Sequence, residues 1–256
     1  MASVYRGSRR VPTRIVEQYV NGIRELSQTM QERLTMELQA VDFTDFAAGK
    51  AEVMRLMQQY CGVSAAAAGR IGAEYYRLVR LYLTGSTDYE PTDETGRLPV
   101  ATDEAVRAIL QKQAEGKTEE FVNQLLERLD FETRRAGLDN TAINAQRDPL
   151  KPKLQRIAQG TETCDFCLML CSREPSRYMV EHVHANCDCK LVPVFGDWLD
   201  GYDYKAAYDR WQDALYAKAA ERAKRNGTTI EREKALIIGT YEASAARNRR
   251  NARVNE

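Results

Sequence analysis

Apolar residues recur along the start of the chain at intervals of three and four: Ile15, Tyr19, Ile23, Leu26, Met30, Leu34 and Leu38. That is the period of one helix face, and with Thr13 in front as an N-cap it predicts a helix from 13 to about Ala40. The stretch from Asp42 to Gly49 breaks the stripe. Val53, Leu56, Met57 and Tyr60 then predict a second helix ending near Gly62. Ser64 can cap a third, in which Ala65 to Ala68, Gly69, Gly72 and Ala73 make a narrow surface that admits a close neighbour. Its far half is bulky, with Tyr75, Tyr76, Leu78, Val79, Leu81, Tyr82 and Leu83. Arginines Arg70, Arg77 and Arg80 among these tyrosines suit either a core helix with a solvated basic face or a nucleic-acid surface.

From Gly85 to Pro99 the pattern gives way to an acidic surface loop, with Asp88, Glu90, Asp93 and Glu94 against Arg97. Thr102 caps a short helix carrying Val106, Ile109 and Leu110, and Thr118 starts another with Phe121, Leu125, Leu126 and Leu129. Asn140 to Ala158 is expected to form a further helix, broken at Pro149 or Pro152. Lys190 to Phe195 is read as a short strand. Beyond Gly196, Tyr204, Tyr208, Trp211, Leu215 and Tyr216 lie on one side of a helix as a docking face. Asn226-Gly227 marks a turn, and Thr229 to Ala252 is the last helix, with Arg247, Arg249, Arg250 and Arg253 near its end.

The expected fold is therefore mainly α, a multi-helix protein with a small zinc-stapled knuckle containing short β strands. The chain divides into a basic arm at 1–12, an N-terminal helical region with the acidic loop at 13–100, a second helical region at 101–160, the knuckle at 161–196 and C-terminal helices with a basic tail at 197–256. Composition agrees with this plan. Formal charge balances at zero with 29% charged and 43% hydrophobic residues, the profile of a soluble helical chain, and no apolar run reaches the length of a membrane span.

Cysteine placement adds the chemistry. Of six cysteines, Cys164, Cys167, Cys171, Cys187 and Cys189 fall in one short window, together with both histidines, His182 and His184. Cys164-x-x-Cys167 brings two sulfurs onto one knuckle, and His184-x-x-Cys187-x-Cys189 offers the other ligands of a tetrahedral zinc ion. Cys187 and Cys189 are nearly equal candidates, and Cys189 can replace either neighbour after a small backbone rotation. Four soft ligands close the shell, so the expected ion is structural, with no catalytic and no cofactor-binding residue. His182 is read as a solvated or outer-shell imidazole, and Cys171 and Cys61 as small buried side chains. Two alternatives are weaker. A disulfide framework needs an oxidising compartment, and no apolar signal region follows Met1. A redox Cys-x-x-Cys pair belongs at a strand-to-helix turn in a βαβ setting that is not found here.

Thr163 to Arg173, Tyr178, His184-Ala-Asn-Cys187-Asp-Cys189 and Val192-Pro193-Val194-Phe195 resemble the signature of tailed-phage minor capsid proteins, the MuF-like or VG15-like head morphogenesis proteins of actinobacterial phages. The similarity extends more weakly to the Ser64-to-Arg77 run. The chain departs from the family at Arg173 to Tyr178, where Arg-Gly-x-Val-Tyr is more usual, which bears on the loop and not on the ligands. The resemblance implies a structural role in the virion, at the portal or inner capsid wall, with assembly in the bacterial cytoplasm. Its implied partners are the portal or major capsid protein and DNA bound without sequence preference, and no membrane. No Walker loop, Ser-His-Asp arrangement or internal repeat is present. The alternative is an enzyme of the same assembly, a zinc-supported nuclease or maturation protease, for which His182 is the spare base.

Overall fold

A computed structural model describes residues 11–95, 100–158, 163–177 and 189–254. Helix α1 spans Thr13–Gln39. It buries Ile15, Tyr19, Ile23, Leu34 and Leu38, with Leu26 and Met30 partly covered, so the stripe faces the core as its spacing predicts. Thr13 is the first helical residue and not the cap. Pro12 takes the cap position with an extended backbone, and its carbonyl accepts from Ile15 N–H at 3.0 Å.

Helix α2 is continuous over Phe46–Thr84, so the two helices expected on either side of Gly62 are one. Asp45 caps it by accepting from the N–H groups of Ala47 and Ala48. Ser64 is a mid-helix residue with no exposed surface, and its hydroxyl accepts from Thr133 of α4 at 3.0 Å. The apolar period carries through Gly62 unbroken, and burial of that face outweighs about 1 kcal/mol of lost helix propensity at the glycine. The helix ends at Gly85, whose φ of 71° favours glycine.

Helices α3 (Val100–Ala114) and α4 (Thr118–Arg147) complete a bundle. Two clusters hold it. One joins Ile15, Tyr19, Tyr75, Val79 and Ala136 to Val192 and Val194. The other joins Leu34, Val53, Leu56, Leu110, Leu125 and Leu129 at the opposite end. Each fully buried leucine contributes roughly 2 kcal/mol.

The small-residue face of α2 meets two different neighbours. A Cβ at Gly72 would lie 2.8 Å from Asn140 Oδ1 of α4, whereas one at Gly69 would lie 2.3 Å from the backbone oxygen of Asp93. The second neighbour is the acidic loop, which is pinned to the bundle. Asn140 Nδ2 donates to the carbonyls of Thr92 and Glu94, and Asn144 Oδ1 accepts from Tyr89 and from Thr92 N–H. Arg80 is no part of a solvated face. It is 2% exposed, pairs with buried Asp148 at 2.7 Å, and reaches Asp88 in the loop at 2.6 Å. With Tyr75 and Tyr76 also buried, this face of α2 is core, while Leu81 and Tyr82 are exposed.

The helix expected over Asn140 to Ala158 stops at Arg147. Pro149 and Pro152 remove donors and push the residues before them out of the helical region, as the ψ of 127° at Asp148 records. Strand β1 (Lys153–Ile157) follows and pairs antiparallel with β2 (Lys190–Val194), Lys153 opposite Val194 and Ile157 opposite Lys190. Between them lies α5 (Asp165–Cys171). Helices α6 (Tyr204–Asn226) and α7 (Ile230–Val254) form a hairpin turned at Gly227, where φ is 64°. It packs on α5 through Phe166, Met169, Leu170, Trp211, Tyr241 and Ala245. The described fold is thus mainly helical, with one small antiparallel sheet beside the cysteines. No helix among the described residues is long and apolar enough to cross a membrane.

Candidate metal centre

Cys164 is the N-cap of α5, and its sulfur accepts from the N–H of Cys167 at 3.4 Å. The Cys-x-x-Cys spacing does this directly, because three residues separate a cap from the first turn it can bond. Cys167 is fully buried one turn into the helix. Cys189 comes from elsewhere, as the residue before β2, and the pairing of Lys190 with Ile157 fixes it beside the end of β1. The Cys167 and Cys189 sulfurs are 3.4 Å apart. That is too long for a disulfide bond of about 2.05 Å, and both are free thiols. It is near the edge of about 3.8 Å that two sulfurs 2.3 Å from a tetrahedral zinc would have.

Arg156 of β1 completes the described cluster. Its Nη1 donates to Cys189 Sγ at 2.9 Å, and the residue is 3% exposed. Burial opposes its charge, yet the sulfurs of Cys189, Cys167 and Cys171 together hold the guanidinium above its ordinary value. The neighbouring Gln155 ties β1 to the end of α5, its Nε2 donating to Cys171 O at 3.1 Å. Burial, and after it Cys189, push the Tyr19 hydroxyl of α1 upward, so the bundle borders the same site.

Cys171 shares the buried interior of α5 but bonds the Tyr202 hydroxyl, which burial and this sulfur both push up. Cys61 is buried in the second bundle cluster, its thiol raised to about 12 chiefly by burial. Cys164, Cys167 and Cys189 are therefore the three cysteines that the structure gathers. They lie close together, but among the described residues no group of three or more His, Cys, Asp or Glu has the arrangement that would hold a metal ion. His182, His184 and Cys187 lie outside the described residues, as does Tyr178.

The far side of α5 seats the hairpin. Asp165 Oδ2 accepts from Lys218 Nζ at 2.6 Å and from the Tyr241 hydroxyl at 3.0 Å, and Arg173 pairs with Glu242. Sequence reasoning missed Arg156 and Gln155. The available signal was two prolines followed by a short polar run, which should have been read as extended chain. Of the residues read as a docking face, Leu215 is buried within the hairpin and Trp211 packs both there and against α5, while Tyr208 and Tyr216 are exposed. The side chains of Arg247, Arg249, Arg250 and Arg253 lie outside what is described, as do residues 1–10 of the basic arm.

Comparison with known proteins places the site in context. The VG15 protein family matches residues 10–214, which takes in the bundle, the sheet, α5 and the first part of α6. The Gene 15 protein of Mycobacterium phage D29 is 30% identical over a match covering 28% of this chain and 41% of that protein. The chain thus spans well under two thirds of this relative's length. No solved structure matches.

Proposed function

The chain belongs to the VG15 protein family, and we propose that it is a structural minor capsid protein, acting in head morphogenesis of a tailed phage or prophage. It sits against the portal or the inner capsid wall, and one zinc ion staples its knuckle. The observation that carries the structural reading is the burial of the cysteine cluster. Cys167 has no exposed surface and Cys189 has 8%, which suits an ion enclosed by its ligands better than one open to water or substrate. The donors fit zinc. Cys164, Cys167 and Cys189 pack together from two elements far apart in sequence, the Cys167 and Cys189 sulfurs lie 3.4 Å apart, near the tetrahedral edge, and a backbone N–H and a guanidinium are directed at the sulfurs of Cys164 and Cys189. Cys164, Cys167 and Cys189 would supply three ligands, with His184 or Cys187 the fourth. Metal bound there supplies cross-linking and no reaction.

A similarity to a mycobacteriophage gene product supports the virion setting. The arginines of both termini would attract DNA without sequence preference, each phosphate contact making the binding weaker as salt rises. The test is genetic and biochemical together. Deleting the gene from a phage that encodes it should leave defective heads. The protein should be found by mass spectrometry in purified virions or head intermediates, with about one zinc per chain. Normal heads without it, or plasmid nicking in magnesium or manganese that vanishes in a zinc-loaded His182→Ala variant, would replace this reading with the enzyme.

A further inference from the structure

The spacing of the cysteine window leaves Cys187 and Cys189 as rivals for the third sulfur, and the fold bears on that choice through a residue outside the window. Arg156 is taken almost wholly out of water, and a guanidinium keeps its charge there. A buried cation requires negative charge close by. Its Nη1 lies 2.9 Å from the Cys189 sulfur, which in turn lies 3.4 Å from the Cys167 sulfur. A neutral thiol is a weak acceptor, whereas a thiolate forms a charge-assisted bond.

Resting on the zinc reading above, we infer that Cys189 is the third sulfur ligand and that Arg156 is the outer-shell donor that orients its sulfur toward the Cys167 sulfur. The fold holds this donor rigidly. Arg156 sits in β1 opposite Leu191, two residues past Cys189, so the sheet register sets its distance to that sulfur. Gln155 beside it bonds both the Arg156 and Cys171 carbonyls, joining strand and helix on the two sides of the centre. Arg156 is a positioning residue, and the two-stranded sheet is its mount. The site it completes suits a soft divalent ion that prefers sulfur, and not magnesium or calcium, which take oxygen.

The test uses the full chain, with zinc exchanged for cobalt(II) so that sulfur-to-metal charge-transfer absorption counts the thiolates. Wild type should bind one ion. Cys189→Ser should lose one sulfur's share of the band, and Arg156→Met should keep the band while a chelator removes zinc about 10- to 100-fold more readily, as loss of outer-shell partners does. Arg156→Lys, which keeps the charge without the planar fork, should fall between. A full band in Cys189→Ser, with the loss appearing in Cys187→Ser instead, would overturn the assignment. So would folded Arg156→Met with unchanged zinc affinity. Should the Arg156 variants not fold, the Cys189→Ser spectrum alone decides. A wild type that binds no metal removes the zinc reading itself, whereas a metal-binding wild type with either overturning result sinks this inference only.

Discussion

The bundle of α1 to α4 and the segment from α5 to α7 are both helical, yet they are stabilised differently. In the bundle, Leu34, Val53, Leu125 and Leu129 have no exposed surface and belong to a continuous apolar cluster that four helices share. In the C-terminal segment the clusters are small. Phe166, Met169, Leu170 and Ala245 form one, and Leu215, Ala219 and Ile237 another. Ion pairs and the cysteine cluster supply the rest. A long helix pair with so little core of its own depends on its seat, and that seat is α5, a helix of 7 residues that could not stand alone. The comparison teaches that the bundle is built to fold by burial, while the hairpin is built to be held.

On the proposed zinc reading, metal removal has the largest effect on the two regions. Structural zinc sites contribute on the order of 10 kcal/mol, far beyond what the small clusters around α5 supply. Chelation or Cys167→Ser should therefore release α5 and the hairpin while the bundle stays folded. Hydrogen exchange should find protection lost from α5, α6 and α7 and retained in α1, α2 and α4. Loss of protection throughout the chain, or nowhere, would refute the division.

The reverse experiment acts on the bundle. Leu125→Ala removes a fully buried side chain from the second cluster and should cost about 2 to 5 kcal/mol, read from the denaturant midpoint. Zinc content should not change, because the cluster that Leu125 fills lies apart from Cys164, Cys167 and Cys189. A drop in zinc stoichiometry in the folded variant would mean that the two regions are coupled more tightly than their contacts imply.

Gly69→Ala sharpens the picture within the bundle. A Cβ there meets the Asp93 carbonyl oxygen at 2.3 Å, and that atom belongs to the backbone of a loop tied down by Asn140 and Asn144. Overpacking costs about 1 to 3 kcal/mol and alanine regains about 1 in helix propensity, so a net loss of roughly 1 kcal/mol is expected. Thermal unfolding measures it. A more stable variant would show that the loop shifts freely, which its hydrogen bonds argue against.

How much of this was legible depends on where the deciding information lies. The stripe of α1 and the turn at Asn226-Gly227 are local patterns, and the structure follows them, whereas of the α6 stripe Leu215 is buried while Tyr208 and Tyr216 are exposed. Gly62 and Ser64 were read as a break because their local chemistry says so, yet the partner that keeps Ser64 inside a helix is Thr133, 69 residues away. β1 has the same character. Lys153–Ile157 has no clean alternation of apolar and polar residues, and its Gln155 and Arg156 donate to the Cys171 carbonyl of α5 and to the Cys189 sulfur, neither of them near in sequence. Cys164, Cys167 and Cys189 were visible from spacing. Arg156 was not, since nothing local distinguishes a strand arginine facing sulfur from one facing water.

The smallest effect is a test of the hairpin at the end remote from α5. Glu233 closes the turn, its Oε1 accepting from the Thr228 hydroxyl at 2.8 Å and from Asn226 Nδ2 at 3.2 Å, with Arg222 paired to the other oxygen at 3.1 Å. The Thr228 and Asn226 bonds, and then the charge of Arg222, hold its carboxyl below the ordinary glutamate value. A depressed folded value means that the stabilisation is fully present above the unfolded value of about 4.3 and is lost as pH falls through the folded one. Acid also strips thiolate-bound metal, so absolute stability in this range would confuse two causes. The informative quantity is the difference between wild type and Glu233→Gln at each pH. Amide exchange in the turn should be slower in wild type above that value, and the gap should close as the solution is acidified through the carboxylate range. If the gap stayed constant down to full protonation, the turn would be held by its Gly227 geometry and not by Glu233. The hairpin would then depend on α5 alone at one end and on backbone conformation at the other.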